Sequence, residues 1–285
     1  MFWGVRETEQ KHACFRFHKA SGHIQGRRDC GAPAPSFRSV RASRVTGILL
    51  VHGGWHGPWC WNGVVEHLRE SGHDIRAVQL RDHDHPPGRI WHRVQHYVED
   101  VQRAVAAFPA PPLLIGHSMG GLVVQKYLES GYAPGAVLMA SIPPRGSIGA
   151  VARLAVRYPI EFLRTNLLLR LKPFVITPKL VRELFFTPDT PQETVDHCFA
   201  RLQDESYLAF IDTMVVLPRP YRVRVPVLVL GAERDAIFTV AEVRSTARAY
   251  QTEAEIFPGM GHDMMLDTDW RKVADRISAW VRDNF

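Results

Sequence analysis

The stretch that most constrains this chain is 113–121, Leu-Leu-Ile-Gly-His-Ser-Met-Gly-Gly. Its three leading apolar residues read as the end of a buried strand. Leu122, Val123, Val124, Tyr127 and Leu128 then recur at helical spacing. Between them, Gly116-His117-Ser118-Met119-Gly120 matches Gly-x-Ser-x-Gly, and strand, tight turn and helix are the context in which that pattern has a mechanism. So sharp a turn has no space for Cβ atoms on either side of the serine, which accounts for Gly116 and Gly120. It lifts the Ser118 hydroxyl out of the sheet. It also points backbone N–H groups of the following helix toward the place where an oxyanion would develop.

Strands and helices alternate on both sides of this stretch. Residues 48–51 are a continuous apolar run, as expected for a strand covered on both faces. A helix follows, with Trp61, Val64, Val65 and Leu68 on one side and Gly72 as its stop. Residues 74–80 read as the next strand and 91–108 as an amphipathic helix, with Val94, Tyr97, Val98, Val101 and Val105 inward. A buried strand is expected at 136–140. Further strands are expected at 225–230 and 254–257, separated by a helix at 239–249 and followed by a closing helix at 270–280. The expected fold is α/β: a mostly parallel central sheet with helices on both faces.

Between 141 and 223 the rhythm changes. Prolines recur, helical segments are expected near 147–158, 160–171, 178–186, 191–203 and 205–216, and no strand alternation is visible. An all-helical insert at 143–223 reads as a cap over the sheet's carboxyl edge, where such sheets hold ligands. The core is then 45–142 and 224–285, preceded by a basic extension at 1–44 expected to be poorly ordered.

The net charge is +6, but nine of the 35 basic residues and three of the 29 acidic ones fall in 1–44, so the remainder balances at 26 each. The basic character therefore belongs to the extension and gives no reason to expect nucleic-acid binding by the core. No apolar run is long enough to span a bilayer, so stable membrane insertion is not expected. Cys14, Cys30, Cys60 and Cys198 show neither a disulfide framework nor a zinc pattern. With no apolar segment of the secretory type, a reducing, cytoplasmic location is the expectation.

A serine hydroxyl needs a base within hydrogen-bond reach, and the base needs an acid to hold its tautomer. His262 lies in a Gly-rich loop after the last expected strand, and Asp235 just past the strand that begins near Val225. Strand ends of a parallel sheet share one edge, so Ser118, Asp235 and His262 can converge there. Glu233 is the alternative acid.

With these residues in place the chain resembles the α/β-hydrolases over about 45–285. His52-Gly53-Gly54-Trp55-His56-Gly57-Pro58-Trp59-Cys60-Trp61 resembles the branch holding plant methyl esterases, hydroxynitrile lyases and bacterial pyrethroid-type esterases. The resemblance implies Ser118 as nucleophile, His262 as general base and then acid, and Asp235 as its orienting carboxylate. It also implies an oxyanion hole from the backbone N–H groups of Gly54 and Met119. The lyases carry a hydroxyl residue after the loop histidine and a lysine after the catalytic histidine. Gly53 and Asp263 stand there instead, which favours ester hydrolysis through an acyl-enzyme.

Apolar residues of the insert, with Trp55, His56, Phe162 and Phe186 as candidate contacts, lead to the expectation of a small hydrophobic ester substrate with a medium acyl or aryl part. A thioesterase, perhydrolase or carbon–carbon bond hydrolase can use the same triad. A surface-active lipase would suit a mobile apolar cap, and a non-catalytic receptor would be expected to lack a triad member. His52 is expected to brace the oxyanion loop, His117 to pack, and Asp263 to be structural. His83, Asp84 and His85 offer too few ligands in one short loop for a metal, and no cofactor is implied. Arg153, Arg157, Arg164 and Arg170 read as a solvated face.

Overall fold

The computed structural model describes residues 47–70, 72–81, 83 and 91–285. The extension at 1–44, with Cys14 and Cys30, and the pair Asp84 and His85 lie outside the described residues.

Six strands form one sheet: β1 (Gly47–Val51), β2 (Asp74–Val78), β3 (Leu113–His117), β4 (Ala136–Met139), β5 (Val227–Ala232) and β6 (Ala254–Phe257). Their order is β2-β1-β3-β4-β5-β6, and every neighbouring pair is parallel. The central strands are buried along their whole length, which is why they read as unbroken apolar runs. Edge strand β2 alternates in exposure and stops at Val78, short of the expected Leu80. The physical reason is that the Leu80 N–H donates to His52 Nε2 at 3.3 Å.

The period-2 alternation of side chains sorts the core into two layers. Ile48, Leu50, Leu113, Ile115, Val137, Met139, Leu228 and Leu230 face one way, against α1 (Asn62–Arg69) and α10 (Trp270–Asn284). Leu49, Val51, Leu114, Ala136, Leu138 and Val229 face the other way, against α2 (Val94–Ala106), α3 (Met119–Tyr127) and α9 (Val240–Ala249). Each fully buried aliphatic side chain contributes on the order of 1.5–3 kcal/mol. Helix α9 starts on a capping box, Thr239 with Glu242.

Between β4 and β5 run α4 (Ile148–Arg157), α5 (Pro159–Leu168), α6 (Pro178–Phe185), α7 (Gln192–Phe199) and α8 (Tyr207–Val215), with no strand among the described residues. Several prolines in this stretch start helices. Pro159 and Pro178 occupy the first helical turn, where a missing N–H costs nothing, and Pro191 precedes α7. Two contacts fasten α8 to the start of α2. The Asp212 carboxylate accepts the Val94 N–H at 3.0 Å and receives the Arg93 guanidinium. Ser206 Oγ donates to the His92 carbonyl at 2.6 Å. No described helix is long and apolar enough to cross a membrane.

Candidate active site

Chain progress reverses beside β1, which has β2 on one side and β3 on the other. In the pairing of β1 with β3, Val51 lies opposite Gly116, so the loops leaving both strands emerge side by side. Reversal points of this kind are where open parallel sheets bind ligands. One loop carries Gly54 and the other Ser118.

Ser118 follows β3 directly, with φ 52° and ψ −117°, a backbone region costly for any residue bearing a Cβ. The surroundings impose it. A Cβ at Gly116 would lie 2.6 Å from the Gly120 carbonyl oxygen, and one at Gly120 would collide with the carbonyls of Val51 and His52. The Ser118 N–H donates to Met139 O at 3.1 Å, and its carbonyl accepts from Gly121 N at 3.0 Å and Ile142 N at 3.2 Å. The strained residue is thus bound to the end of β4 and the first turn of α3.

Ser118 Oγ lies 3.0 Å from His262 Nε2, and His262 Nδ1 lies 2.8 Å from Asp235 Oδ2. Asp235 Oδ1 accepts the N–H groups of Ile237 at 2.7 Å and Phe238 at 3.0 Å, which orients the carboxylate. Glu233 does not reach the histidine in this arrangement; it accepts the Gly259 N–H at 2.8 Å and fastens the loop that carries His262. The His262 ring stacks on Phe185 and meets Phe238 at a tilt. Burial alone would lower the His262 pKa. The Asp235 charge and hydrogen bond, with the charge of Asp263, outweigh it and hold the imidazole above its ordinary value. Nδ1–H donation to Asp235 leaves the Nε2 lone pair toward Ser118, the geometry needed to take a hydroxyl proton.

A second layer of buried histidines supports this chain. His117 Nε2 donates to the His262 carbonyl at 3.0 Å. Burial, reinforced by the His262 charge, lowers its pKa to about 3, so the ring is neutral and its Nδ1 is buried without a partner. His56 Nδ1 donates to the Gly54 carbonyl at 2.7 Å, and His56 Nε2 meets Asp263 Oδ2 at 2.9 Å. Asp263 follows His262 in the chain, so this pair ties the histidine loop to the Gly54 loop. His52 Nδ1 donates to the Gly53 carbonyl at 2.9 Å while its Nε2 accepts from Leu80, the bracing role expected of it. Cys198 and Asp263 with His56, and His262 and Asp263 with His117, place three potential metal-ligand atoms together in two buried groups. Several of these atoms are already committed to the hydrogen bonds described.

Glu205 is a residue that sequence reasoning missed. Its carboxylate is buried and accepts four hydrogen bonds: from Tyr97 Oη and Ser206 N at 2.7 Å each, from His83 Nε2 at 3.0 Å and from Trp55 N at 3.3 Å. Burial would raise its carboxyl, but the His83 charge and these donors keep it below the ordinary range. Reciprocally, burial would lower His83, and Glu205 holds it above the ordinary histidine value. His83, considered in the sequence as a metal ligand, is therefore half of a buried ion pair. Trp55 sits at φ 62° and its carbonyl accepts from Gln203 N at 2.9 Å, so residues of the insert hold it from both sides. Nothing in local spacing marks Glu205, which sits in the polar run Gln203-Asp204-Glu205-Ser206.

Gly54, Trp55, Ser118 and Met119 border a small cavity of about 70 Å³ that opens to solvent. Its other walls are mainly apolar, including Ile142, Val151, Leu154, Leu171, Ile237 and Phe238, with Ser147, Thr213 and Glu205 as polar exceptions. Of the candidate substrate contacts, Trp55 borders this cavity and three do not. His56 is turned inward, with both ring nitrogens engaged. Phe162 packs its partly buried ring against the core. Phe186 leaves α6 in extended backbone and borders a separate cleft with Arg182 and Asp235. Among the arginines, Arg153 is not a solvated side chain alone: it joins α4 to Glu242 of α9 at 2.6 Å.

Similarity to known proteins covers most of the described chain. Residues 48–276 match the alpha/beta hydrolase family model. Esterase PIR7B of Oryza sativa subsp. japonica is 37% identical over 95 residues, 32% of this chain and 35% of that protein. Polyneuridine aldehyde esterase of Rauvolfia serpentina is 30% identical over 96 residues, 32% of this chain and 36% of that protein. The chain thus matches about a third of the length of these relatives. A monoacylglycerol lipase structure from Paleococcus ferrophilus superimposes with a TM-score of 0.64 at 21% identity, covering 84% of this chain and 95% of that one. A pyrethroid hydrolase structure from Sphingobium faniae JZ-2 gives 0.58 at 18% identity, covering 83% and 97%. With its fold, its strand-to-helix serine turn and a family match over most of its length, the chain belongs to the alpha/beta hydrolase family.

Proposed function

We propose that the protein is a serine hydrolase that cleaves carboxylic esters through an acyl-enzyme. The observation that carries this reading is the hydrogen-bonded run from Ser118 Oγ through His262 to Asp235, opening on an apolar cavity. Ser118 attacks the acyl carbon while His262 takes its proton at Nε2. The imidazolium, stabilised by Asp235, then returns that proton to the departing alcohol. The N–H groups of Gly54 and Met119, residues bordering the same cavity, stabilise the developing oxyanion. A water deprotonated by His262 releases the acid and restores the serine.

Residues 143–223 act as a cap that shapes the cavity, and its aliphatic and aromatic walls suit an ester with a medium acyl or aryl part. The Esterase PIR7B and polyneuridine aldehyde esterase names support the same reaction class. A cytoplasmic location suits the two buried free thiols, Cys60 and Cys198. The test is a series of p-nitrophenyl esters from acetate to palmitate. The expected result is a maximum at intermediate chain length that disappears in Ser118→Ala. Equal rates along the series contradict a shaping pocket, and turnover surviving in Ser118→Ala contradicts the mechanism.

A further inference from the structure

Among the described residues, most of the exposed large apolar side chains fall between 148 and 176. Ile148, Val156, Ile160, Leu163, Leu167 and Leu168 all stand open on α4 and α5, with Val156 84% and Leu167 73% exposed. The spacing makes two outward rows: 148 with 156 on α4, and 160, 163 and 167 on α5. Single exposed apolar residues need no explanation, but a contiguous patch marks something that covers it. The same stretch is strongly basic. From 148 to 179 it holds six cations against one acid, Glu161. Arg153, Arg170 and Lys179 pair with Glu242, Asp204 and Glu183 from beyond it, which leaves Arg157, Arg164 and Lys172 as its excess positive charge.

We propose that the outer face of α4 and α5 docks on an anionic lipid bilayer surface. Short amphipathic helices with an apolar row flanked by cations lie in the interface plane, the side chains entering the acyl boundary and the cations meeting anionic headgroups. Charge decides between occupants. A second copy presenting the same face would bring like charges together, and the 1–44 segment is itself basic. A surface of opposite sign that also accepts apolar side chains satisfies both features. The geometry relates the surface to the site, since Ala150, Val151 and Leu154 on the inner side of α4 line the cavity beside Ser118. A docked α4 therefore sets the cavity next to the bilayer, so apolar esters dissolved in lipid are the substrates brought closest. This last step rests on the esterase reading; the docking itself does not.

The experiment is co-sedimentation of the full chain with vesicles of phosphatidylcholine containing phosphatidylglycerol, and with phosphatidylcholine alone. The expected result is binding to the anionic vesicles that weakens as salt is added, and little binding to the neutral ones. Leu163→Ser with Leu167→Ser, both away from the cavity, should cut partitioning by roughly tenfold or more while leaving hydrolysis of a short water-soluble ester unchanged. Arg157→Ser with Arg164→Ser should reduce it by a similar factor and flatten the salt dependence. The proposal is overturned if the wild-type chain stays in the supernatant, or if the leucine variant sediments like wild type. It is also overturned if sedimentation velocity finds a dimer that the leucine substitutions split while vesicles leave it intact. Because binding is read without turnover, an inactive but vesicle-bound protein would count against the esterase reading alone.

Discussion

Ser118→Gly and Ser118→Ala differ by one Cβ, and at this position the usual ranking of the two residues should invert. Glycine in a regular element is less stable than alanine by about 0.5–1 kcal/mol. Ser118 sits at φ 52°, ψ −117°, where a Cβ costs on the order of 1–3 kcal/mol. Both variants lose the hydrogen bond to His262, so that loss cancels between them. Glycine also loosens the unfolded chain, at a cost of about 0.4–1 kcal/mol. The difference leaves the glycine variant the more stable by about 0.5–2 kcal/mol. In a domain of this size each kcal/mol moves the midpoint by roughly 2–4 °C. Scanning calorimetry reads the stability of both variants directly. An alanine variant melting at or above the glycine variant would refute the claim that the turn holds its serine under strain.

Other outcomes follow from the same geometry. Asp235→Asn should lower kcat/KM by about 10³–10⁴-fold. It should also move the acid limb of the pH profile downward, because the Asp235 charge and hydrogen bond hold His262 above its ordinary pKa. Asp263→Asn should move the limb the same way with a smaller loss of rate, both read from pH–rate profiles. Glu205→Gln should cost about 3–5 kcal/mol in urea unfolding, because it leaves His83 buried without its counter-charge. That wild-type advantage should shrink as pH rises through the raised His83 pKa, and again as pH falls through the lowered Glu205 pKa. His117 stays neutral in the fold down to about pH 3, whereas the unfolded chain binds a proton below about 6.5. Relative to His117→Gln, wild type should therefore lose about 1.4 kcal/mol per pH unit on acidification below about 6.5, measured by urea unfolding.

The sheet was legible because its strands obey simple rules. Apolar runs at 48–51, 113–115 and 227–230 are covered on both faces, and no polar residue interrupts them. The five helices after β4 were legible from their prolines, which sit where helices begin. The serine turn, histidine and carboxylate were readable because parallel strands deliver their loops to one edge. What escaped were contacts between segments with no shared period. Glu205 meets Trp55 across 150 residues and His83 across 122; His56 meets Asp263 across 207. The two Glu205 contacts exist only after the insert has packed on the sheet, and the His56–Asp263 contact only after the loops following β1 and β6 have met. Pocket contacts escaped for a related reason: Phe185 is buried against His262 while adjacent Phe186 borders a separate cleft, because the helix ends between them, a shift of one residue that periodicity does not resolve.

The central claim is that Ser118 carries the acyl group during turnover. Rapid acid quench with a slowly deacylating ester, followed by peptide mass spectrometry, reads this directly. The account predicts an acyl-sized mass increase on the peptide containing Ser118, absent in Ser118→Ala and strongly reduced in His262→Ala. Continued hydrolysis with an unmodified Ser118, or with the acyl group on another residue, would contradict it.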